Sequence, residues 1–346
     1  MLDNRIKLSQ EIVANIAKID RFQGLWQGGA RFSPQILSRL KAWAIISSTG
    51  ASTRIEGAKM EDEEIARFLR GLKTNPPKNR DEQEVAGYAD LIGRVFDNYS
   101  SIKLTENWIW QFHSILLQFS AKDKDHKGGY KTRENTVALV KPDGQMIVLF
   151  RPTPPYLVKP EMNTAITWAN RHLQDGDIHP ILVIANFIFE FLAIHPFIDG
   201  NGRLSRALTN LLLLKSGYSY IPYVSLDEII EETRTEYYLA LRKSQATFGT
   251  KKESIEPWLN FFLDVVLKQA DLAVGLLSAE NVERLLSPQQ LKVWAYLQAG
   301  DGATPGEIAA ATGVPRVTVS QALLRLTKLG RAERVGLGRA TRYRKL

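Results

Sequence analysis

Twelve residues, His195-Pro-Phe-Ile-Asp199-Gly-Asn201-Gly-Arg203-Leu-Ser-Arg206, hold a proton acceptor, a carboxylate, a carboxamide, two glycines and two guanidinium groups. An unperturbed imidazole titrates near about pH 6.5, so His195 can stand neutral in a cell and take a proton from an attacking hydroxyl. Asp199 offers a hard oxygen to a magnesium ion, which keeps one or two carboxylates in its shell and fills the rest with water and substrate phosphates. Glycines at 200 and 202 let the backbone approach phosphate oxygens, and a helix starting beside them would aim free N–H groups and the positive end of its dipole at the same point. Arg203 and Arg206 lie three residues apart on one helix face, where guanidinium forks grip phosphate at two points. The chemistry implied is that of a nucleotide polyphosphate site, and no other segment concentrates so much of it.

Such a site needs a rigid mount. Ile181 to Ile194 is almost wholly apolar and lacks Gly and Pro, so it reads as a buried helix that Pro196 stops, leaving His195 at a helix end. Leu204, Leu208, Leu211 and Leu212 recur at helical spacing, which starts a second helix near Arg203 with Gly200-Asn201-Gly202 as the loop leading into it.

The complete string resembles the signature of the Fic family, His-Pro-Phe-x-Asp-Gly-Asn-Gly-Arg-x-x-Arg, and matches it at every defining position. The resemblance implies transfer of a nucleoside monophosphate, usually AMP from ATP, onto a Ser, Thr or Tyr hydroxyl of a target protein. Position by position it implies His195 as the base on that hydroxyl and Asp199 as the Mg2+ ligand. It further implies Gly200, Asn201 and Gly202 as an anion hole, Arg203 on the phosphates and Arg206 on the γ-phosphate. Beside such a signature, Ser52-Thr-Arg-Ile-Glu56-Gly57 resembles the family's inhibitory motif, Ser/Thr-x-x-x-Glu-Gly/Asn. Taken alone, the stretch from Ser47 to Gly57 reads as a short helix capped by Ser or Thr and ended by Gly57. By resemblance, Glu56 would pair with Arg206 and so compete with ATP for it.

The 346 residues suffice for two or three domains, and 44% hydrophobic content is ordinary for a globular chain. The absence of cysteine excludes disulfides, thiolate zinc sites and a cysteine nucleophile, and fits a reducing cytoplasm. The first residues do not read as a signal peptide. The run from Ile181 to Ile194 is too short for a bilayer and is interrupted by Asn186 and Glu190, so the chain is expected to be cytoplasmic, with no membrane partner.

Elsewhere, Ile6, Ile12, Val13, Ile16 and Ile19 form one helical stripe and Leu37, Leu40, Trp43 and Ile46 another, with Gln27-Gly-Gly as a turn between them. Helices are expected over Asp81–Tyr99 and Thr105–Phe119, the second carrying His113 as a packing residue. Further helices are expected from Pro160 to Leu173, from Leu226 to about Ala246 and from Ile255 to Leu277. Thr136 to Phe150 sets β-branched runs on either side of Lys141-Pro-Asp-Gly144 and reads as a β-hairpin. By resemblance it is the family's flap, whose edge aligns a target segment by strand addition. Tyr238 and Gln245 lie seven residues apart on one helix face, where an aromatic ring and an amide can stack and hydrogen-bond a purine. On pattern alone Tyr237 and Tyr238 read as core packing, although the family's adenine pocket draws on this region.

From Pro288 two capped helices at helix-turn-helix spacing precede Arg331–Tyr343, where Gly336 and Gly338 separate apolar residues as in a two-stranded wing. The module resembles a winged helix with Arg316, Thr318, Ser320 and Gln321 on its recognition helix and Arg339, Arg342 and Arg344 on the wing. From Pro315 to Leu346 nine Lys or Arg stand against one acid, a local excess equal to the whole chain's +8. That points to DNA, with protein docking or a homodimer as the other uses of such a module.

The expected fold is all-α: a Fic-type helical bundle with a β-hairpin flap and a C-terminal winged helix-turn-helix domain. Residues 1–103 form the N-terminal helical region with the inhibitory helix near 47–57, residues 104–277 the catalytic core with the flap at 136–150, and residues 285–346 the winged helix, after a linker over Ser278–Ser287. The expected activity is protein adenylylation with ATP as substrate, Mg2+ as cofactor and a target protein docking on the flap. Three alternatives stay open: removal of AMP by the same pocket, transfer of another group such as UMP, phosphocholine or phosphate, and a DNA-binding regulator whose core senses nucleotide.

Overall fold

The structure, a computed structural model, describes every residue except 1, 30, 31, 33, 73, 141–145, 278–285, 330, 337–340 and 346. Five helices come first: α1 (Gln10–Gly29), α2 (Pro34–Ile55), α3 (Asp62–Gly71), α4 (Arg80–Asn98) and α5 (Glu106–Leu116). An antiparallel hairpin follows, β1 (Val137–Val140) with β2 (Met146–Phe150), pairing Ala138 with Val148 and Val140 with Met146. Then come α6 (Pro155–Asp175), α7 (Pro180–Ile194), α8 (Asn201–Lys215), α9 (Leu226–Glu232), α10 (Arg234–Gln245) and α11 (Glu256–Leu277). The chain continues with α12 (Pro288–Gln298), α13 (Pro305–Thr312), α14 (Arg316–Lys328) and a second antiparallel pair, β3 (Ala332–Val335) with β4 (Arg342–Lys345). The fold is a mostly helical bundle, as the periodicity predicts.

α7 is the axis of the bundle. Every residue from Ile181 to Ile194 is buried, because α6, α8 and α11 pack around it and leave no side for water. Burying each large apolar side chain contributes roughly 1.5–3 kcal/mol. Its two polar residues meet Arg5 of the N-terminal segment, whose guanidinium donates to Asn186 Oδ1 at 2.6 Å and forms an ion pair with Glu190 at 2.6 Å. A buried carboxylate without such a partner would cost several kcal/mol, on the order of the desolvation of an ion. Among the described residues no helix is long and apolar enough to cross a membrane.

Four local expectations are corrected. The segment from Ser47 to Gly57 is no separate capped helix, because α2 runs unbroken to Ile55. The hydroxyls that looked like caps bond inside the helix instead, Thr49 to the Ile45 carbonyl and Thr53 to that of Thr49, a back-bonding option open to Ser and Thr. Val13, placed in the core stripe, is 53% exposed. α6 begins at Pro155 rather than Pro160, which the helix accommodates in its second turn, where the lost bond belongs to the carbonyl of the exposed Tyr156. The stretch from Leu226 breaks at Thr233, whose hydroxyl bonds the Ile229 carbonyl and closes α9 before α10 starts.

Helices α12 to α14 and strands β3 and β4 surround a small core of their own, including Val293, Leu297, Ile308, Val319, Leu323 and Leu326. Capping boxes, Ser287 with Gln290 and Thr304 with Glu307, start α12 and α13, and Gly313 ends α13 in the left-handed conformation. The expected linker lies outside the described residues up to 285, as do the hairpin turn at 141–144, Gly338 and Arg339.

Candidate active site

Pro196 stops α7, and the chain turns at His195 with φ 50° and ψ 61°, the left-handed region. Among the described residues it is the one non-glycine with positive φ, a strained conformation of the kind that collects at functional sites. The ring places Nδ1 3.4 Å from the Leu192 carbonyl. A carbonyl only accepts, so this contact favours the proton on Nδ1 and leaves the Nε2 lone pair open. Burial, with the positive charge of Lys131 behind it, pushes the imidazole down to about 4, so the ring is a neutral base throughout the physiological range.

The loop from Phe197 to Asn201 is stapled by Asn201. Its side chain accepts from the Phe197 N–H at 3.0 Å and donates to the Phe197 carbonyl at 2.8 Å. Its contribution to an anion hole is therefore restricted to its backbone, while its amide shapes the turn. Gly200 is the N-cap of α8 in the left-handed conformation, φ 84°, and supplies no side-chain cap, so the first N–H groups of α8 meet no capping oxygen. A Cβ on Gly200 would press on Leu116, and one on Gly202 would collide with Glu56 Oε1. Asp199 accepts from the Gly200 N–H at 2.6 Å and from Arg203 at 3.0 Å through Oδ1, and from Lys122 Nζ at 2.8 Å through Oδ2. Burial alone would raise its carboxyl, but Arg203, Lys122 and the Gly200 N–H outweigh it and hold it at about 2.

Both arginines are buried. Arg203 lies between Asp199 and Glu84, and its Nε and Nη1 make no hydrogen bond. Arg206 donates through Nε to Ser52 Oγ at 2.7 Å and through Nη2 to the Ser52 carbonyl and to Glu56 Oε1, each at 2.9 Å, while its Nη1 makes no hydrogen bond. Asp227, fully buried and bonded by Tyr88, stands 3.5 Å from its Nε. The last turn of α2 thus meets the first turn of α8 at one guanidinium, and buried donors remain there that have no protein acceptor.

Residues 103–213 match the family model described as the Fic/DOC family. The chain carries a Fic domain. Curated relatives include the protein adenylyltransferase Fic of Drosophila willistoni, 30% identical over 155 residues, which are 40% of this chain and 28% of that one. The protein of the same name from Drosophila grimshawi is 35% identical over 105 residues, 30% of this chain and 19% of that one. The match therefore spans less than a third of the length of these relatives. A crystal structure of a Fic family protein from Desulfovibrio desulfuricans G20 superposes with TM-score 0.64 at 20% identity, over 99% of this chain and 98% of that one. Fic-1 from C. elegans superposes with TM-score 0.57 at 22% identity, over 77% and 71% of the two chains. These likenesses show the helical Fic fold.

Around this Fic domain the remaining expected residues fall unevenly. Tyr238 sits beside the end of α2, its hydroxyl 3.4 Å from the Ile55 carbonyl, under the Arg234 guanidinium at 5.8 Å from the ring centroid. Gln245 is at the far end of α10, partly exposed, and no bond joins it to Tyr238. The hairpin forms in the expected place. Its approach is tied to the histidine loop by Asn135, which donates to the Phe197 carbonyl at 2.9 Å, and its second strand rests on α10.

Three contributors escaped the sequence reading. Lys131, buried, holds the Ile194 carbonyl through Nζ at 3.1 Å and the Pro196 carbonyl through its backbone N–H at 2.8 Å. Lys122 bonds Asp199. His113 lies under the loop rather than in plain packing. Nothing in the local pattern around any of them signals a partner so distant in sequence.

In the C-terminal unit, three of the residues expected to face nucleic acid already have carboxylate partners. Gln321 donates to Glu61 at 3.0 Å, Arg342 to Glu307 at 3.1 Å, and Arg344 pairs with Glu333. Arg325, on the same helix, reaches Glu228 at 3.1 Å and covers the Trp43 ring at 5.9 Å, so α14 leans on the core. Arg316 at its start is exposed.

Proposed function

We propose that this chain is a protein adenylyltransferase held in check by Glu56. The observation that carries the reading is a neutral imidazole with an open Nε2 beside a helix start without a capping side chain, where two buried guanidinium groups keep N–H groups that make no hydrogen bond. Nε2 of His195 takes the proton of a Ser, Thr or Tyr hydroxyl. That oxygen attacks the α-phosphorus of ATP and forms the new P–O bond. The bond from the α-phosphorus to the bridging oxygen breaks, pyrophosphate leaves, and AMP stays on the target. Arg203 and the backbone of Gly200 to Gly202 face the negative charge that develops on the phosphates, and positioning with electrostatics supplies most of the acceleration in reactions of this kind.

Asp199 fits the magnesium role: it is ionised, and its Oδ2 already faces a cation, the Lys122 ammonium. Magnesium needs little more from the protein than one such carboxylate, and when bound it would neutralise phosphate charge. Arg206 would hold the γ-phosphate. With Glu56 on that guanidinium and packed over Gly202, the phosphate chain lacks its last anchor. The same carboxylate supports a second reading, in which Glu56 positions a water that removes AMP from a modified target. The hairpin's free edge is the proposed seat of the target segment. The C-terminal unit is read as a winged helix.

Labelled ATP separates these outcomes. Label from the α-phosphate should enter protein in the presence of magnesium, more with Glu56→Gly and at least about a hundredfold less with His195→Ala. Entry of γ-label instead would mark a kinase and overturn the assignment. Loss of label from a pre-modified target that requires Glu56 would favour the second reading.

A further inference from the structure

His113, on α5, is completely buried directly beneath the signature loop. Its Nδ1 accepts from the Gly128 N–H at 2.9 Å, and its Nε2 lies 3.1 Å from the Asp199 carbonyl. A ring nitrogen accepting from N–H carries no proton, and a nitrogen bonded to a carbonyl must carry one, so both contacts together require the neutral Nε2–H tautomer. The ring stacks on Phe197 with centroids 3.8 Å apart and an interplanar angle of 17°. A Cβ added to Gly200 would lie 3.7 Å from its Cδ2. The other segment it holds, around Gly128, belongs to the loop that brings Lys122 onto Asp199 Oδ2. One imidazole therefore joins the two stretches that set the charges around Asp199.

Packing alone would be met by a leucine or phenylalanine in this pocket. A two-ended hydrogen bond between a backbone N–H of one loop and a backbone carbonyl of another would not. The Asp199 carbonyl precedes the Gly200 N–H, and that amide opens the turn leading into α8. Fixing the carbonyl fixes the plane of the next peptide and with it the direction of the amides that follow.

We propose that His113 is a positioning residue of the phosphate-binding turn: its Nε2–H holds the Asp199 carbonyl and so sets the aim of the Asp199 side chain and the Gly200–Gly202 amides. The proposal rests on the adenylyltransferase reading for its consequence in catalysis, and it has a structural readout that does not. It touches neither substrate nor the reacting atoms.

Two conservative variants divide the contacts. Gln at 113 reaches as far as Nε2 and keeps a donor for the Asp199 carbonyl, whereas Asn keeps an acceptor for Gly128 and falls short of Asp199. In the Glu56→Gly protein, His113→Gln should retain the KM for ATP within about threefold. His113→Asn should raise it by about tenfold or more, the usual loss when a supporting hydrogen bond behind a ligand residue is removed. Amide exchange over residues 197–203 should be unchanged in the Gln variant and about tenfold faster in the Asn variant. Histidine-selective 15N spectra of the parent should show one neutral Nε2–H ring assigned to His113, a tractable assignment with five histidines in the chain. Equal KM and equal exchange in the two variants would overturn the proposal. If the parent transfers no label from ATP while the exchange contrast holds, the positioning role stands and the adenylyltransferase reading has failed.

Discussion

At the head of α8 the arginines are sunk in the protein, while those of the C-terminal hairpin lie in solvent, although both regions carry residues whose pattern suggested phosphate. Arg203 and Arg206 are 1% and 2% exposed, and each faces two carboxylates. The side chains of Arg342 and Arg344 are 54% and 58% exposed, and each is paired with a single glutamate. A buried guanidinium stripped of its partner costs about 3–5 kcal/mol, whereas an exposed pair contributes about 0.2–1 kcal/mol. The buried pair can therefore change partners only for a ligand with comparable negative charge, which a triphosphate is. Surface arginines exchange partners with the salt of the buffer.

Several measurements would break or sharpen this contrast, starting with the largest effect. His195→Ala should lower α-phosphate transfer by about a hundred- to ten-thousand-fold while calorimetry still shows ATP binding. Glu56→Gly should raise initial transfer rates by about 5- to 150-fold, the span of an ordinary coupling energy between two ligands of one group. Adding Arg206→Ala to that variant should cancel the gain. A rate that ignores Glu56 would mean that no contest for Arg206 exists.

Gly200→Ala should lower stability in urea by about 1–3 kcal/mol, because φ 84° strains any side chain and the added methyl meets Leu116. A titration gives the next effect. The folded chain holds His113 and His195 at about 4, each chiefly through burial. Unfolded histidine titrates near about 6.5, so between these values the unfolded chain binds protons that the folded chain does not. Stability should climb as pH rises from about 4 to about 6.5 and level off above. Asp62, raised to about 6 by burial, acts with the opposite sign and withdraws its contribution as pH rises through that value. Denaturation midpoints that still fall across the window in an Asp62→Asn protein would contradict the histidine placements. The smallest effect belongs to the surface: Arg342→Ala, at a side chain 54% exposed, should change stability by about 1 kcal/mol or less and leave label transfer untouched.

The signature was legible because its residues are contiguous, so spacing alone fixed which groups share a turn. α7 was legible because fourteen consecutive residues without a solvent side leave few alternatives. What the sequence hid were partners far along the chain. His113 looks like one more position on an apolar stripe until Asp199, 86 residues on, folds over it. Gln321 reads as a groove-facing amide until Glu61, 260 positions away, is set against it. The unbroken α2 was concealed by chemistry rather than distance, since a hydroxyl that caps a helix and one that bonds back into it are the same residue in a string.

The backbone at His195 has one further consequence. Glycine would occupy φ 50° with no Cβ to accommodate, so the main chain at this position favours the residue that cannot do chemistry. If the chain is the adenylyltransferase proposed above, heat resistance and turnover pull against each other at a single codon. A selection that rewarded thermal survival alone would put the imidazole at risk, and the survivors would be robust and inert.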